Sequence, residues 1–466
     1  MKAVLGCKIK TIKSIHEDLN ISKYNDKRPV FEYRGTIKLF CFVALGYNLA
    51  KRNAPEMKKP LWRDGWLMAI CIGRIFMYMN YMVYAACLPI LKNEWGMSAT
   101  QAGSIASGFM IGYAASLAIA SWLSDHFGAR RIFVLSAITS AATALVFGFF
   151  ARDYLSTLLL SSLLGIAQGG IYTPGIVLMA ERFPVACRGG AVGWLIASTS
   201  LGYACSLAVS GILVALGGPV IAFIGTGILP SAGALILLIT LRHTPNIIHD
   251  HSTGVSFTTV LRNERNVRSL MAGYTCHCWE LLGMWSWTPA FLAASLALSG
   301  AASIQSVELA AYCVAAMHIV GAVASSTMGH LSDLLGRRAV LTGLGAAGTL
   351  LSLIFGWLVA APVPILVVLM LIYGFVAIGD SPVLSAAITE AVAPNRLGSV
   401  LAVRSLLGFS AGAVAPVAFG AVLDYLRIGD NVASAWGPAF MVFAIGGFGA
   451  TWYALRLRPS VSARQL

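Results

Sequence analysis

The chain has 466 residues, of which 58% are hydrophobic and only 11% are charged. About a quarter of the residues in a soluble domain are charged, so this composition excludes an ordinary soluble protein. The formal net charge of +14 is concentrated in residues 1–65, which hold 14 of the 33 Lys and Arg but only six of the 19 Asp and Glu. Because the rest of the chain is only weakly basic, we predict no nucleic-acid partner.

Residues 1–65 form a basic N-terminal extension that is polar and Lys-rich over most of its length. Residues 39–50 are apolar, but 12 residues are too few to span a bilayer, which needs about 20. Three interpretations stay open. The extension is disordered, or its apolar stretch is an interfacial anchor, or Met57 is the natural first residue and residues 1–56 do not belong to the native protein.

Twelve apolar runs follow, each long enough to form a membrane-spanning helix. They predict an all-α integral membrane protein with 12 transmembrane helices. In chain order the runs are 66–91, 99–122, 131–151, 155–180, 189–216, 219–241, 269–298, 306–329, 338–360, 363–391, 397–423 and 434–455.

An internal repeat divides these helices into two groups of six. The segment Ser121-Trp-Leu-Ser-Asp-His-Phe-Gly-Ala-Arg-Arg131 recurs 208 residues later as Gly329-His-Leu-Ser-Asp-Leu-Leu-Gly-Arg-Arg338. Such a repeat predicts two pseudo-symmetric six-helix bundles with a site at their interface. The predicted parts are an N-terminal half (66–242), a cytoplasmic linker (243–268), a C-terminal half (269–458) and a cytoplasmic tail (459–466).

The positions of the basic residues predict the orientation, because Lys and Arg resist translocation. With the N-terminus inside, the outer side receives only Lys92, Arg152 and Arg427. We therefore predict a multi-pass protein of the cell (inner or plasma) membrane, surrounded by lipid bilayer, with both termini cytoplasmic.

The repeated motif resembles the signature of the major facilitator superfamily, and this resemblance covers residues 66–466. It implies alternating access of the two halves and a charge relay that closes the cytoplasmic side. The first copy departs from the pattern at Ser121 and Ala129. An alternative is that both copies only set the topology. The gating residues that the resemblance implies are Asp125, Gly128, Arg130, Asp333, Gly336, Arg337 and Arg338.

Ionisable side chains within a membrane cost about 2.5 to 3.5 kcal/mol each, so they are candidates for function. The resemblance implies that the first, fourth, seventh and tenth helices line the central cavity, and helical spacing places the candidates on one face of each helix. The predicted substrate-binding residues are Arg74, Tyr78, Tyr81, Gln168, Tyr172, Met284 and Trp287. The predicted proton-coupling residues are Glu280 and Asp380.

Two ion pairs are predicted among the buried charges. Arg74 and Glu280 would pair across the cavity as a switch, or alternatively as a permanent salt bridge between the halves. Arg404 would pair with Asp380 within the C-terminal half. His277 lies between two cysteines, but successive helical residues point about 100° apart, so we predict no metal site there.

These observations predict a secondary active transporter of a small solute that works by alternating access. No Gly-x-x-x-x-Gly-Lys-Ser/Thr sequence is present, so ATP is not expected as the energy source, and we predict neither a cofactor nor enzyme activity. The fixed charge of Arg74 favours an anion, carboxylate or inorganic, in symport with protons. The alternative is proton-coupled efflux of drugs or lipophilic cations. A transport-inactive membrane sensor is a third possibility, and we expect a monomer.

Overall fold

A computed structural model of the protein describes residues 61–183, 185–248, 265–392, 394–426 and 432–458. The predicted extension up to residue 60, residues 249–264 of the predicted linker and the predicted tail at 459–466 lie outside these ranges. Every regular element within the described ranges is helical.

The helices fall into two groups along the chain. The first contains α1 (Gly65–Tyr78), α2 (Val83–Glu94), α3 (Ala99–Phe127), α4 (Ala129–Phe150), α5 (Tyr154–Gln168), α6 (Thr173–Arg182) and α7 (Val185–Leu241). The second contains α8 (Arg265–Leu298), α9 (Ser303–Leu335), α10 (Arg337–Ile354), α11 (Val363–Ala391), α12 (Pro394–Leu426) and α13 (Val432–Leu455). Short 3-10 helices occupy Leu61–Arg63, Gly169–Ile171 and Phe355–Leu358.

Eleven helical segments of the described chain are long and apolar enough to cross a membrane, and one of them has 52 residues, Gly190–Leu241. This segment lies within α7, which is interrupted at Gly217 and at Gly218, where φ is +73°. A Cβ built on Gly225 would lie 2.5 Å from Leu213 Cδ1, whereas these positions would be about 18 Å apart on a straight helix. The chain therefore reverses here, and α7 supplies the fifth and sixth of the 12 predicted spans.

Two predicted spans are interrupted rather than continuous. The first span breaks between α1 and α2, where the backbone N–H of Met82 donates to Ser206 Oγ at 3.0 Å. The fourth breaks at the 3-10 helix Gly169–Ile171. Pro174 then lies in the first turn of α6, where proline needs no N–H partner. In both spans the hydropathy is continuous, so apolar composition alone could not reveal the breaks.

Close antiparallel contacts join the two bundles. The α3 helix packs against α12, and α7 packs against α9. A Cβ on Gly103 would lie 2.3 Å from the Pro416 carbonyl oxygen, and one on Gly420 would lie 2.3 Å from that of Ala99. Glycine is required at these two positions because the backbones touch.

The two ends of the molecule differ. We call the end at which α3 begins and α12 ends the Asp424 end, because Asp424 lies there. The opposite end carries Arg130, Arg337 and Arg338 and is called the arginine-rich end. At the latter, Gly128 and Gly336 have φ values of +87° and +88°. Their positive φ, which glycine adopts without strain, forms a tight turn in each copy of the repeated motif.

Candidate functional site

The interrupted spans bring polar and aromatic side chains to the interface between the bundles. Breaks in the middle of spanning helices are typical of transporter binding sites, where irregular backbone lines a cavity rather than lipid. Tyr81 lies in the break between α1 and α2, and Tyr172 lies between the 3-10 helix and α6. Gln168 ends α5 and is buried, with its Nε2 donating to the Met77 carbonyl at 3.4 Å.

Aromatic rings from both bundles meet at this level. Tyr203 of α7 stacks on Tyr81 at 4.2 Å between ring centroids, and it contacts Trp285 of α8 edge-on at 5.5 Å. His318 of α9 lies 5.1 Å from the Trp285 ring. We call this set the aromatic layer, and its members are Tyr78, Tyr81, Phe109, Tyr113, Tyr203, Trp285, His318 and Phe409.

The aromatic layer contains unsatisfied polar atoms. His318 is only 1% exposed, and neither of its ring nitrogens has a hydrogen-bond partner in the described chain. The indole N–H of Trp285 is also unpaired there. Buried polar groups are normally hydrogen-bonded, so unpaired ones at the interface between the bundles are suited to a ligand.

Arg74 lies in the first bundle with none of its surface exposed. Its guanidinium donates to the Leu195 carbonyl, to Thr199 Oγ1 at 3.0 Å and to the Tyr78 hydroxyl at 3.3 Å. These acceptors are neutral, and no described carboxylate forms an ion pair with Arg74. Its Nε has no hydrogen-bond partner among the described residues. A buried cation without a counter-charge is a site that favours an anion.

The predicted pair between Arg74 and Glu280 is wrong in this structure. Glu280 is 6% exposed and faces the interior of the second bundle. Its Oε1 accepts from Ser352 Oγ of α10 at 2.9 Å, and that hydroxyl lies 2.5 Å from the Tyr373 hydroxyl of α11. The spacing of residues along α8 shows which of them share a face, but it does not show whether that face meets the other bundle.

The predicted pair between Asp380 and Arg404 is also wrong. Asp380 Oδ1 lies 2.8 Å from His277 Nδ1 instead. Arg404 donates to Ser385 Oγ at 3.2 Å, and its guanidinium lies 4.2 Å from the centre of the Tyr274 ring. The carboxylate therefore faces α8, while the guanidinium is held by an aromatic ring and a hydroxyl.

The last two predicted substrate-binding residues are packed in the second bundle. Met284 is fully buried. Trp287 stacks on Phe419 at 4.7 Å, and its indole N–H donates to the Pro416 carbonyl at 3.0 Å. Trp287 also lines a cavity of about 260 Å³ at the Asp424 end, together with Lys92. The structure thus separates these two residues from the contacts of Arg74.

The bundles are tied together at the Asp424 end. Asp424 of α12 accepts from the backbone N–H groups of Ala99 and Thr100 and from Thr100 Oγ1, all at 2.7 Å. A carboxylate at the first turn of α3 is favourable because the helix N-terminus is electropositive. Near the aromatic layer the cavity lined by Asn80 and Trp285 measures only about 50 Å³, below the about 300 Å³ of a small ligand pocket. In this structure the cavity is therefore too small to hold a small-molecule ligand.

At the arginine-rich end the two motif copies make different contacts. Arg337 lies 2.5 Å from Asp333 and 2.8 Å from Glu390 of α11. Arg130 instead donates to the carbonyls of Leu241 and Arg242 at the end of α7.

In the second copy the partner of Asp333 is therefore Arg337 rather than Arg338. The equivalent of Arg337 in the first copy is Ala129, so the same ion pair cannot form there. Each set of contacts stays within one bundle, and Asp125 forms no ion pair with the described residues.

Sequence reasoning missed several residues at the interface. Tyr203 and Phe409 gave no signal beyond being aromatic residues within Gly-rich apolar helices. Asp424 could have been found, because an acidic residue near the end of an apolar run is a candidate to cap a neighbouring helix. The sequence predicted Arg404 only as the structural partner of Asp380, and not as a residue of the site.

A membrane-spanning helical fold in two bundles, with a polar site at their interface, defines a secondary transporter. The family model for the Major Facilitator Superfamily matches residues 70–379 and 301–466, and the chain belongs to this superfamily. It is accordingly a membrane transporter of small solutes.

Curated relatives align over most of their length. A probable 4-methylmuconolactone transporter of Cupriavidus pinatubonensis is 25% identical, over 85% of this chain and 91% of its own. A probable sulfoacetate transporter of Cupriavidus necator is 26% identical, over 77% of this chain and 86% of its own. The hexuronate transporter of Bacillus subtilis is 23% identical, over 77% of this chain and 87% of its own.

Solved structures share the fold. An inward-facing, unoccupied bacterial homologue of the human lysosomal transporter Spinster superposes with a TM-score of 0.68 at 17% identity, covering 85% of this chain and 96% of the other. A variant of the nucleoside transporter NupG also superposes with a TM-score of 0.68. It is 13% identical, and the match covers 84% of this chain and 99% of the NupG chain.

Proposed function

We propose that this transporter carries small organic anions across the cell membrane by alternating access, with Arg74 as the anion-binding residue. The observation that carries the proposal is the environment of Arg74, which is fully buried and whose hydrogen-bond acceptors in the described chain are all neutral. An uncompensated guanidinium in a low-dielectric interior gains strongly from a carboxylate, which it can hold through two parallel hydrogen bonds.

The names of the relatives support an anion. Sulfoacetate, hexuronate and cis,cis-muconate, the last carried by a relative from Acinetobacter baylyi that is 24% identical, all bear carboxylates. We therefore favour a carboxylate over an inorganic ion. Efflux of lipophilic cations has less support, because the buried carboxylates of Glu280 and Asp380 face Ser352 and His277 within the second bundle.

We infer that the arginine-rich end is cytoplasmic, which places both termini inside the cell. The bundles are tied at the Asp424 end by three hydrogen bonds and by backbone contact at Gly103. The carrier would then be closed to the outside. Arg337, with Asp333 and Glu390, would steer the closing movement at the cytoplasmic face.

Proton coupling is part of the proposal. Two buried carboxyl groups supply candidate proton carriers, Glu280 in contact with Ser352 and Asp380 next to His277. Both lie within the second bundle, so protonation there would act on the transport site through movement of α8 and α11 rather than by direct contact with the substrate.

The test is uptake into proteoliposomes by the full-length protein, with sulfoacetate, cis,cis-muconate, glucuronate and tetraphenylphosphonium as probes. Arg74→Gln should reduce anion uptake at least about 30-fold, because truncating one partner of a buried charge pair costs about 2 kcal/mol or more. Arg74→Lys should retain part of it. Arg152→Gln is the matched control, since among the described residues the Arg152 guanidinium donates to the carbonyls of Gly148 and Ala151 within the first bundle. Uptake of the cation alone, or full anion uptake by Arg74→Gln, would refute the proposal.

A further inference from the structure

A small cavity between the two bundles is lined on both sides by residues with an unpaired polar atom. The cavity measures about 50 Å³, and its lining includes Asn80 and Tyr81 of the first bundle and Trp285 of α8 in the second. Asn80 and Tyr81 lie in the break between α1 and α2. Irregular backbone at membrane depth is found where it lines a cavity, so the break and the cavity belong together.

The Asn80 side chain supplies a hydrogen-bond acceptor. It is 2% exposed, and its Oδ1 has no partner among the described residues. Its Nδ2 donates to Thr226 Oγ1 at 3.4 Å, while the Thr226 hydroxyl donates its own hydrogen to the Ala222 carbonyl at 2.7 Å. Because that hydrogen is already used, Thr226 can only accept from Asn80. The amide nitrogen therefore faces Thr226, and the amide oxygen is the free atom.

Trp285 supplies a hydrogen-bond donor from the other bundle. Its indole N–H is buried and has no partner in the described part of the chain. The His318 ring lies 5.1 Å away between centroids and leaves this N–H unpaired. An indole N–H donates but does not accept, and a buried donor without an acceptor is costly. The cavity is thus bordered by one residue that needs a donor and one that needs an acceptor.

A row of aromatic rings joins this cavity to Arg74. Tyr81 lines the cavity and stacks on Tyr203 at 4.2 Å between centroids. Tyr203 meets the Tyr78 ring edge-on at 5.5 Å, and the Tyr78 hydroxyl accepts from Arg74 at 3.3 Å. These rings offer an apolar surface for a carbon skeleton between the guanidinium and the cavity.

We propose that Asn80 and Trp285 bind a hydroxyl group of the transported anion, so that hydroxylated organic acids are the preferred substrates. A hydroxyl oxygen accepts one hydrogen bond while its hydrogen donates another, and a single group therefore satisfies both residues. The cavity of about 50 Å³ admits one such group, since a water molecule takes up about 30 Å³ in the liquid. A methylene group leaves both polar atoms unpaired, and an ionised carboxylate cannot donate to Asn80. This inference rests on the proposed anion transport and adds a functional group of the substrate to it.

The experiment compares straight-chain ω-hydroxy carboxylates with the unsubstituted carboxylates of the same chain length, so that each pair differs by one hydroxyl. Binding is measured by thermal stabilisation of the purified full-length protein, and transport by counterflow in proteoliposomes. At the chain length that reaches the cavity, the wild-type protein should bind the hydroxy acid at least about tenfold more tightly. Two hydrogen bonds then replace two unpaired buried atoms.

Trp285→Phe keeps an aromatic ring but removes the N–H. It should weaken binding of the hydroxy acid at least about fivefold, while affinity for the unsubstituted acid stays within about twofold. Asn80→Leu should reduce the preference to a similar extent. Trp279→Phe is the matched control, because Trp279 lies on the same helix and its indole N–H donates to the Val442 carbonyl at 2.8 Å within the second bundle. This control should keep the wild-type preference.

Equal affinities of the wild-type protein for both members of every pair would overturn the hydroxyl site. The same holds if Trp285→Phe keeps the preference or weakens both acids equally, or if Trp279→Phe loses the preference as well. Anion transport stands in each of these cases. If no carboxylate of the series binds or exchanges, the proposed function itself fails.

Discussion

Removing the carboxylate of Asp424 should open the Asp424 end of the carrier. In the structure this side chain accepts three hydrogen bonds of 2.7 Å from Ala99 and Thr100 of the other bundle. All three bonds must break when the bundles separate at this end. Asp424→Ala therefore removes an interaction that exists only in the closed arrangement.

The size of the effect follows from the type of bond. Hydrogen bonds to a charged group contribute about 1.5–3 kcal/mol net, and a carboxylate at a helix N-terminus adds about 0.3–1 kcal/mol. Asp424 is only partly buried, so solvent screens the three bonds and they contribute less than their full sum; we expect a loss of about 2–3 kcal/mol. That corresponds to a shift of about 30- to 150-fold toward the open arrangement.

The assay is maleimide labelling of Ser107→Cys. Ser107 is 5% exposed and lies one helical turn from Gly103, which touches Pro416 of the other bundle. Asp424→Ala should speed its labelling by a factor within that range. The control is Asp153→Ala, which removes the carboxylate that caps the start of α5 at the same end within one bundle. An unchanged labelling rate in correctly folded Asp424→Ala protein would refute the reasoning, as would an equal increase in Asp153→Ala.

Three further predictions concern other parts of the protein. Arg337→Gln should slow transport with a stability loss of about 1 kcal/mol or less, because the carboxylates that it pairs with are half exposed; unchanged uptake would contradict a gating role. Gly128→Ala should lower the thermal stability of the protein more than Gly336→Ala does. Both glycines have positive φ, but only a Cβ on Gly128 would lie 2.3 Å from the Asn246 side chain. Equal losses of thermal stability in the two variants would refute this difference. Glu280→Gln should keep substrate exchange but lose accumulation driven by a pH gradient, because the amide cannot carry the proton. Normal accumulation would exclude Glu280 as the carrier.

The fold was predictable because its signals are local. Length of apolar runs, turn glycines and a repeated motif each depend on a few consecutive residues, and the predicted spans agree with the helices within a few residues at most ends. The breaks at Met79–Met82 and Gly169–Ile171 were not predictable. They depend on contacts such as that between Met82 and Ser206, which are far apart along the chain.

The site was predictable only in part. Arg74 stood out because an arginine inside a spanning helix is costly wherever it faces. The partners of the buried charges were predicted wrongly, since pairing depends on the rotation of each helix about its axis. Helix rotation brings Asp380 to His277 and leaves Arg404 beside Tyr274.

The amino-acid sequence by itself determined that this chain spans a membrane with 12 apolar segments in two related halves, and that buried charge is scarce within them. Hydropathy, charge placement and repetition are properties of the chain, so they hold whatever the packing. The tertiary structure alone decided which charges stay unpaired, which rings meet and which end is tied together. Those outcomes depend on residues separated by up to 325 positions, such as Asp424 and Ala99, whose backbone N–H donates to the carboxylate. Only the packing of the bundles brings such residues into contact.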